Sequence, residues 1–311
     1  MRHLRLFEYI DAIVRSGSIR RAAEQLHITA SALDRRVQQL EEELEAPLFE
    51  RHARGMRLTA AGEIFLNYIR RHLADLEQVR SEINGLKGLR LGHVDVVASQ
   101  ALALKFLPEQ MNQFRHSFPG VSFSVRIVDH HAALRALMAF EADLAVVVFP
   151  KLNSEILPLI MVAQPIMAMM DAQHPLALKP ELRLSDCLSY PLILPDASLG
   201  SRELLDPILA RRAAKVQVRA ETNSFELMRG LLIDGRSIGF QIGIGAPEVT
   251  DPGPLISRPI SAKDVPYAPL VCAQLRTRTL SVAAARFADQ ISGALHDLDP
   301  DALHHGAHSD H

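Results

Sequence analysis

The chain has 311 residues, of which 48% are hydrophobic and 23% are charged. This is the composition of a globular protein of about two or three domains, which excludes a disordered chain, a collagen and a disulfide-stapled miniprotein. The formal net charge is −2, with 15 Arg/Lys against 13 Asp/Glu in residues 1–90 and 19 against 23 in the remainder. Only the first part is therefore slightly basic, and no strong overall field points to a nucleic acid or a membrane.

The N-terminal residues carry charges throughout and lack the apolar core of a signal peptide. The most apolar stretch, residues 157–170, contains Pro158 and Pro165 and is too short to span a bilayer. Two cysteines, Cys187 and Cys272, are too few for a zinc site; they predict buried free thiols, with a disulfide as the alternative. We therefore expect a soluble, cytoplasmic protein with no membrane partner.

Residues 1–59 are predicted to form three short helices and a β-hairpin. Helical spacing of apolar residues indicates the first helix, Ser18 and Thr29 are suited to cap the second and third, and Pro47 stops the third. Strands are expected over 48–51 and 56–59, around Ala53-Arg54-Gly55. The expected inward-facing residues are Leu4, Phe7, Ile10 and Val14 in the first helix and Leu33, Val37, Leu40 and Leu44 in the third.

The segment from Ser18 to Gln38 has the form of a helix-turn-helix, in which the second helix enters the DNA major groove. Arg35 is the best candidate to read a base, because its guanidinium can bond both acceptors of guanine. Ser31 and the backbone amides at the helix start suit phosphate. The predicted DNA-binding residues are Ser18, Thr29, Ala30, Ser31, Asp34, Arg35 and Gln38, with Arg51, Arg54 and Arg57 of the hairpin. For the hairpin arginines, a solvated surface is the alternative.

Residues 60–90 are expected to form a linker, with one helix over 60–88. Its apolar residues have a mean spacing near 3.5, which is typical of a coiled-coil seam. We expect the helix to pair with a second chain, and the alternative is that it lies on its own domain. The predicted dimerisation residues are Phe65, Ile69, Leu73, Leu76, Val79 and Ile83, and Leu86 continues the stripe.

From residue 91 onward strands and helices alternate, which predicts βαβ units and largely parallel sheets. We expect two α/β lobes, lobe I from 91–165 and 269–296 and lobe II from 166–268. Residues 297–311 are expected to be a disordered tail. A metal site at its histidines, His304, His305, His308 and His311, is the less favoured alternative.

The order GSIRRAAEQL, PLFER and RLTAAG resembles the LysR-type transcriptional regulators. The resemblance continues to about residue 296, through Phe118-Pro119-Gly120-Val121 and Ala142-Asp143-Leu144-Ala145. It implies a multidomain protein of α+β and α/β parts: a winged helix-turn-helix, a long linker helix and a two-lobed effector-binding domain like the periplasmic solute-binding proteins. It further implies a homodimer or homotetramer on an interrupted inverted repeat of double-stranded DNA, RNA polymerase as a partner, and no catalysis.

Two departures from the family pattern concern base preference and a turn. The chain has Thr29-Ala30-Ser31-Ala32-Leu33-Asp34 where the family often has Ser-Gln-Pro-Ala-Leu-Ser. Glu45 stands where a helix-ending glycine is common. These changes bear on which bases are read, and DNA binding itself is still expected.

A small-molecule effector is expected in the cleft between the lobes, where helix N-termini favour an anion such as an organic acid. By resemblance, Ser99 and Gln100 match effector-contacting positions, and Arg202 has the geometry to hold a carboxylate. The other expected cleft residues are Asp129, Ser198, Asn223, Ser224 and Gln241. Simple helix capping is an equal alternative for Ser99, Ser198 and Asn223.

A second class of function is a cytoplasmic solute-binding protein or an enzyme with a helical dimerisation segment, and a third is an architectural DNA binder. The arginine hairpin and the missing export signal speak against the second class. The chain contains no Walker, HExxH or GxSxG motif, and we expect no cofactor and no metal.

Overall fold

The computed structural model describes residues 2–52, 55–85, 91–148, 150–211 and 216–298. They form two compact units. The first contains the chain up to residue 83 together with 139–141, and the second contains the remainder.

The first unit has the expected order of three helices, a hairpin and a long helix. Its elements are α1 (Arg2–Ser16), α2 (Ile19–Gln25), α3 (Ala30–Glu43), β1 (Phe49–His52), β2 (Gly55–Leu58) and α4 (Ala60–Gly85). Both hairpin strands lie one residue from their expected bounds, and β1 pairs antiparallel with β2. The expected end of the last helix, residues 86–88, and Leu86 lie outside the described residues.

The core of the first unit differs from the predicted faces at two helices. In α1 the buried apolar side chains are Tyr9, Ile10 and Ile13, whereas Phe7 and Val14 are only partly buried. The inward face is therefore rotated from the expected one, and the side chain of Leu4 lies outside the described part. In α3, Leu33, Val37 and Leu40 are buried as expected. Leu44 is 40% exposed because it follows the last helical residue, so its assignment to the core was wrong.

The second unit alternates strands and helices. Its strands are β3 (Gly92–Ala98), β4 (Val121–Ile127), β5 (Leu144–Val148), β6 (Ile156–Gln164), β7 (Ile166–Asp171), β8 (Leu192–Pro195), β9 (Val218–Thr222), β10 (Ile238–Ile242), β11 (Leu255–Pro259) and β12 (Ala268–Leu275). Its helices are α5 (Phe106–Ser117), α6 (His130–Met138), α7 (Leu184–Cys187), α8 (Gly200–Ala210), α9 (Phe225–Leu232) and α10 (Val282–His296).

The strands make two five-stranded sheets, ordered β4-β3-β5-β12-β6 and β11-β7-β10-β8-β9. The chain passes from the first sheet to the second between β6 and β7, and it returns between β11 and β12. We call the part built on the first sheet lobe I and the part built on the second lobe II.

Both sheets are mixed, so the expectation of largely parallel sheets was wrong. In lobe I, β3 is parallel to β4 and β5, whereas β12 is antiparallel to β5 and β6. In lobe II, β8 is parallel to β9 and β10, whereas β7 is antiparallel to β10 and β11. The strands that follow the two crossings, β7 and β12, run against their neighbours because the chain enters each lobe from the other one.

The Ala142-Asp143-Leu144-Ala145 segment has a structural role in lobe I. The buried Asp143 carboxylate accepts a hydrogen bond of 2.8 Å from the backbone N–H of Asp95 and forms an ion pair with Arg278. It therefore ties β3 and the start of β5 to the residues that follow β12.

Both cysteines are free and buried, which leaves no disulfide between them. Burial raises the pKa of Cys187 and of Cys272 to about 12, so both thiols stay protonated at neutral pH. None of the helices in the described part is long and apolar enough to cross a membrane.

Candidate functional site

The first turns of α3 form an exposed polar surface. Thr29 caps the helix, since its Oγ1 accepts a hydrogen bond of 3.3 Å from the N–H of Ala32. Ser18 caps α2 in the same way, through the N–H of Arg21 at 3.5 Å. The side chains of Thr29, Ala30, Ser31, Arg35 and Gln38 are exposed and Asp34 is half-buried. The predicted recognition residues of α3 therefore lie on one accessible face, opposite the buried stripe.

Asp34 is the one acidic residue among the predicted recognition residues of α3, and its carboxylate accepts a hydrogen bond from a side chain on the same helix. The Gln38 Nε2 donates a hydrogen bond of 3.4 Å to Asp34 Oδ2, one helical turn along α3. The Asp34 side chain therefore faces an amide donor on its own helix, next to Arg35 in the sequence.

The hairpin is fixed to the helices by side chains of the family-like motifs. Glu41 Oε1 accepts hydrogen bonds from the N–H groups of Leu48, at 2.7 Å, and Phe49, at 3.0 Å. The Thr59 hydroxyl donates to the Pro47 carbonyl at 2.6 Å and accepts from the N–H of Gly62. A Cβ at Gly62 would lie 2.1 Å from the Leu48 carbonyl oxygen, so only glycine fits there. These contacts hold the start of the hairpin against α3 and α4.

Of the three hairpin arginines, the structure describes the side chain of Arg57 only. Arg57 is exposed and is paired across the hairpin with Glu50. The Arg51 side chain and the whole of Arg54 lie outside the described residues, so their contact with DNA stays a prediction. The acidic partner opposite Arg57 lowers the positive charge of this part of the hairpin.

The apolar stripe of α4 divides into two parts. Ile69 is fully buried in the core of its own domain, and Phe65 and Leu73 pack against that core. The assignment of Ile69 to a dimer seam was therefore wrong, and the alternative that the helix lies on its own domain holds for this part. Further along the helix Val79 is 49% exposed and Ile83 is 55% exposed, while Leu76 is half-buried.

A second set of exposed apolar side chains lies at the start of α4. Ile64 is 74% exposed and Tyr68 is 49% exposed. Neither was predicted from the sequence, because the heptad pattern selected Phe65 and Ile69 instead. The exposed residues Ile64, Tyr68, Val79 and Ile83, with the half-buried Leu76, are called the outer stripe of α4 below.

Two adjoining cavities lie where lobe I meets lobe II. The first is lined by Ser99, Gln100, Ala101, Val148, Leu199, Gly200, Ser201, Phe225 and Ile242. The second is lined by Gln100, Ala103, Leu104, Ile127, Phe225, Glu226, Arg229 and Gln241. Gln100 from lobe I and Phe225 from lobe II border both cavities, and we call the two cavities together the cleft.

A hydrogen bond joins the lobes at this point. The Gln100 side-chain carbonyl, Oε1, accepts from the backbone N–H of Phe225 at 2.9 Å. Phe225 is the first residue of α9, so Gln100 occupies one of the unpaired amides that a helix N-terminus offers to an anion. Lys105 adds an ion pair between the lobes, with its Nζ 2.6 Å from Glu248 Oε1.

Two further polar groups of the cleft have unused hydrogen-bonding capacity. Ser99 Oγ accepts from the N–H of Val148 at 3.1 Å, which leaves its hydroxyl proton available. Gln241 is 2% exposed, and its Oε1 has no hydrogen-bond partner within the described residues. A buried amide oxygen without a partner is costly, and a ligand donor would remove that cost.

Arg202, which was predicted to hold an effector carboxylate, contacts groups of its own lobe. Its Nη1 donates to the Pro195 carbonyl at 2.7 Å, its Nη2 lies 3.1 Å from Glu221 Oε1, and its Nε pairs with Asp206. Two carboxylates and a carbonyl of lobe II therefore accept from three of its five N–H groups, and effector contact by Arg202 stays a prediction.

The remaining predicted cleft residues do not line the two cavities. Asp129 Oδ1 accepts from the N–H of Ala132 at 2.7 Å, and Ser224 Oγ accepts from the N–H of Leu227 at 3.2 Å. These two residues cap α6 and α9. Ser198 is exposed and bonds Asp196 Oδ1 at 2.6 Å, and Asn223 is exposed. Helix capping therefore accounts for Asp129 and Ser224, and effector contact by these four residues stays a prediction.

The cleft contains a cation that the sequence analysis missed. Arg229 lies one turn into α9 and donates from Nη2 to the Gly245 carbonyl at 2.6 Å. Burial lowers the pKa of Arg229, but a guanidinium remains charged at neutral pH. The signal available in the sequence was its position four residues after Phe225, on the same helix face as the predicted anion site.

Comparison with family models matches two segments of the chain. Residues 4–63 match the bacterial regulatory helix-turn-helix protein model of the lysR family. Residues 87–295 match the LysR substrate binding domain. Together the two models cover the DNA-binding surface and both lobes.

Individual proteins are also similar to this chain over most of its length. The HTH-type transcriptional activator CmpR of Synechocystis is 27% identical over 292 residues, which cover 93% of this chain and 94% of CmpR. A full-length OxyR variant from Pseudomonas aeruginosa superposes with a TM-score of 0.73 at 21% identity, covering 94% of each chain. Full-length CbnR complexed with its target DNA superposes with a TM-score of 0.64 at 18% identity, covering 94% of this chain and 99% of CbnR. At these identities the two structures establish the fold.

Proposed function

Since the chain belongs to the LysR family of DNA-binding transcriptional regulators, we propose that it acts in the cytoplasm as a homodimer or homotetramer on an interrupted inverted repeat. Two α3 helices, one from each of two chains, enter successive major grooves. A small anionic effector binds in the cleft and changes transcription by RNA polymerase. The chain itself carries no catalytic activity.

The observation that carries this proposal is the accessible polar face of α3. A capped helix start presents backbone amides that suit phosphate, and Arg35 projects from the same exposed face in the second turn of the helix. The hairpin is anchored against this helix through Glu41 and Thr59, which is the arrangement that a winged helix needs to contact the backbone beside the groove.

Pairing of two chains is supported by the outer stripe of α4. Val79 and Ile83 are about half exposed on a helix that is 26 residues long. Apolar side chains at this spacing gain stability when a second helix covers them. We therefore assign dimerisation to the outer stripe rather than to Ile69.

An anionic effector is supported by the chemistry of the cleft. Arg229 supplies a positive charge, and the N–H of Phe225 at the start of α9 supplies a donor that Gln100 now occupies. A carboxylate that accepts from Phe225 would displace the Gln100 side chain. The side-chain oxygen of Gln241 has no hydrogen-bond partner within the described residues, and a ligand that donates to it would supply one. We therefore propose a small organic acid that also carries a hydroxyl or an amine.

The test is a gel-shift series on DNA from upstream of the gene that encodes this chain, with a scrambled fragment as the reference. Phosphate neutralisation predicts that the logarithm of the affinity falls linearly with the logarithm of the salt concentration. Arg35→Ala is expected to reduce the preference for the specific fragment by about 5- to 150-fold, the equivalent of about 1–3 kcal/mol for one lost bidentate base contact.

Arg115→Ala is the matched control, because it removes the same charge from an exposed arginine of α5 in lobe I, outside the recognition helix. An unchanged preference in Arg35→Ala would reject its base-reading role. A chain that binds organic acids but shifts no DNA at any salt concentration would instead support a cytoplasmic solute-binding protein.

A further inference from the structure

Three potential metal ligands that do not line the two cavities of the cleft lie close together. His130 and His131 begin α6 in lobe I, and Glu203 lies in the first turn of α8 in lobe II. One ligand atom from each of the three side chains lies within 4.8 Å of the others. The distance from His130 Nε2 to Glu203 Oε1 is 3.4 Å. This group is called the histidine-glutamate cluster.

His130 is the unusual member of the cluster. Its side chain is 3% exposed, and neither of its ring nitrogens has a hydrogen-bond partner within the described residues. Most buried polar side-chain atoms in proteins have at least one partner, and an exception calls for an explanation such as an ion.

We propose that the histidine-glutamate cluster binds one divalent transition-metal ion of the Zn²⁺ class. Imidazole nitrogen with one carboxylate oxygen is a ligand set that suits zinc and its neighbours in the first row. Two ligands bound tetrahedrally at about 2.0–2.1 Å lie about 3.3 Å apart, which is the separation of His130 Nε2 and Glu203 Oε1. Three protein ligands leave the fourth position to water or to another small ligand.

Of the charged side chains around the cluster, one opposes the binding of a cation and another favours it. Lys151 Nζ lies 3.0 Å from Glu203 Oε2 and opposes a cation. The carboxylate of Asp129 precedes His130 and favours a cation, although its Oδ1 is held by the N–H of Ala132. The ion binds on the Oε1 side of Glu203, away from Lys151.

Because the ligands come from both lobes, a bound ion would hold the two lobes in one arrangement. Two ligands belong to lobe I and one to lobe II, so the full set exists only when the lobes are arranged as they are here. Metal binding therefore stabilises this arrangement by mass action. Binding itself requires no DNA and no organic effector.

The experiment is a Co²⁺ titration of the purified full-length chain followed by d–d absorption, with Zn²⁺ competition. All variants carry His304, His305, His308 and His311 replaced by Asn, which removes the histidines of the C-terminal segment as competing ligands. We expect one ion per chain with a tetrahedral spectrum. His131→Gln and Glu203→Gln are each expected to weaken binding by about 100-fold or more, since even loss of a group behind a ligand costs about 10- to 100-fold.

Two variants complete the design. Lys151→Met removes the opposing charge and is expected to tighten binding about tenfold. His116→Gln, an exposed histidine of α5 in lobe I, is the control and leaves the affinity unchanged.

Absence of a stoichiometric site, or equal affinity in the parent chain and Glu203→Gln, would overturn the proposal. His131 is exposed and Glu203 is partly exposed, so folding of their variants is checked directly by circular dichroism. Because the titration contains no DNA, its outcome is independent of the proposed regulatory function.

Discussion

At the residue scale, Glu45 has a backbone conformation that a residue with a side chain rarely adopts. It follows the C-terminus of α3 with φ of +51°, in the left-handed region that non-glycine residues rarely adopt. The family pattern commonly has glycine at this position. The chain therefore has a glutamate at a position where the backbone conformation favours glycine.

Glu45→Gly is expected to stabilise the DNA-binding domain by about 0.5–1 kcal/mol. Relief of left-handed strain gains about 1–2 kcal/mol, and the greater freedom of glycine in the unfolded chain offsets part of that gain. Urea unfolding monitored by circular dichroism measures the change. Glu42→Gly is the matched control, because this exposed glutamate lies within α3 and its replacement costs about 1 kcal/mol. A destabilised Glu45→Gly variant would contradict the argument.

His174 gives the stability of lobe II a pH dependence. It is 2% exposed, its Nδ1 accepts from the N–H of Leu176 at 3.2 Å, and burial lowers its pKa. The folded state therefore binds the proton less tightly than the unfolded chain. The contribution to stability is complete above about pH 6.5 and is lost as the pH falls from there through the lowered pKa of the folded state.

His174→Asn is expected to flatten the dependence of the unfolding free energy on pH between pH 6.5 and 5. The asparagine oxygen keeps an acceptor for the N–H of Leu176 and is a favoured helix cap, but it does not titrate. Urea unfolding at a series of pH values gives the slope. A variant with the slope of the parent chain would rule out His174 as the titrating group.

At the element scale, α4 combines two apolar surfaces in one helix. Ile69 packs into its own domain, whereas Val79 and Ile83 remain exposed. Apolar residues spaced at 3.5 residues along a helix predict that another surface covers them. The spacing does not show whether that surface belongs to the same chain or to a second chain. The two surfaces therefore predict different consequences for the same kind of substitution.

Val79→Asp is expected to shift the chain toward monomer by placing a charge in the outer stripe, without loss of folded structure. Ile69→Asp is expected to unfold the DNA-binding domain, because an unpaired charge would be buried. Sedimentation velocity and circular dichroism separate the two effects. Asn67→Asp adds the same charge at another exposed position of α4 and serves as the control. A Val79→Asp variant that stays fully dimeric would refute the outer stripe as the seam.

At the scale of the whole molecule, contacts between the lobes decide what the cleft can bind. The bond from Phe225 to Gln100 joins residues 125 positions apart and occupies the start of α9. The glutamine carbonyl thus satisfies the amide that a carboxylate would use. An effector carboxylate at this amide would have to compete with the internal contact, and its binding would then be coupled to the relation between the lobes.

Gln100→Ala is expected to speed hydrogen exchange at the amide of Phe225, since that N–H loses its acceptor. Ser224→Ala is the control, because Ser224 protects the neighbouring N–H of Leu227 and not that of Phe225. Hydrogen exchange resolved by NMR measures both amides. Unchanged exchange at Phe225 in Gln100→Ala would show that the lobes are not joined through this bond in solution.

Local features were predictable from the sequence alone. Ser18 and Thr29 begin α2 and α3 because a helix cap depends on a side chain and an amide three residues away. The helix order, the hairpin, the buried face of α3 and the family itself follow from such short-range patterns. The accessible face of α3 could be predicted for the same reason, since it is the face opposite the buried stripe.

Long-range partners required the tertiary structure. Arg202 and Arg229 are both basic residues near helix starts. Arg202 forms ion pairs with Asp206 and Glu221, whereas Arg229 borders the cleft. The direction of β7 and β12, and the division of α4 into an inner and an outer surface, depend in the same way on residues far along the chain. A sequence pattern specifies which side chains seek partners, but only the packed fold determines which partners come within bonding distance.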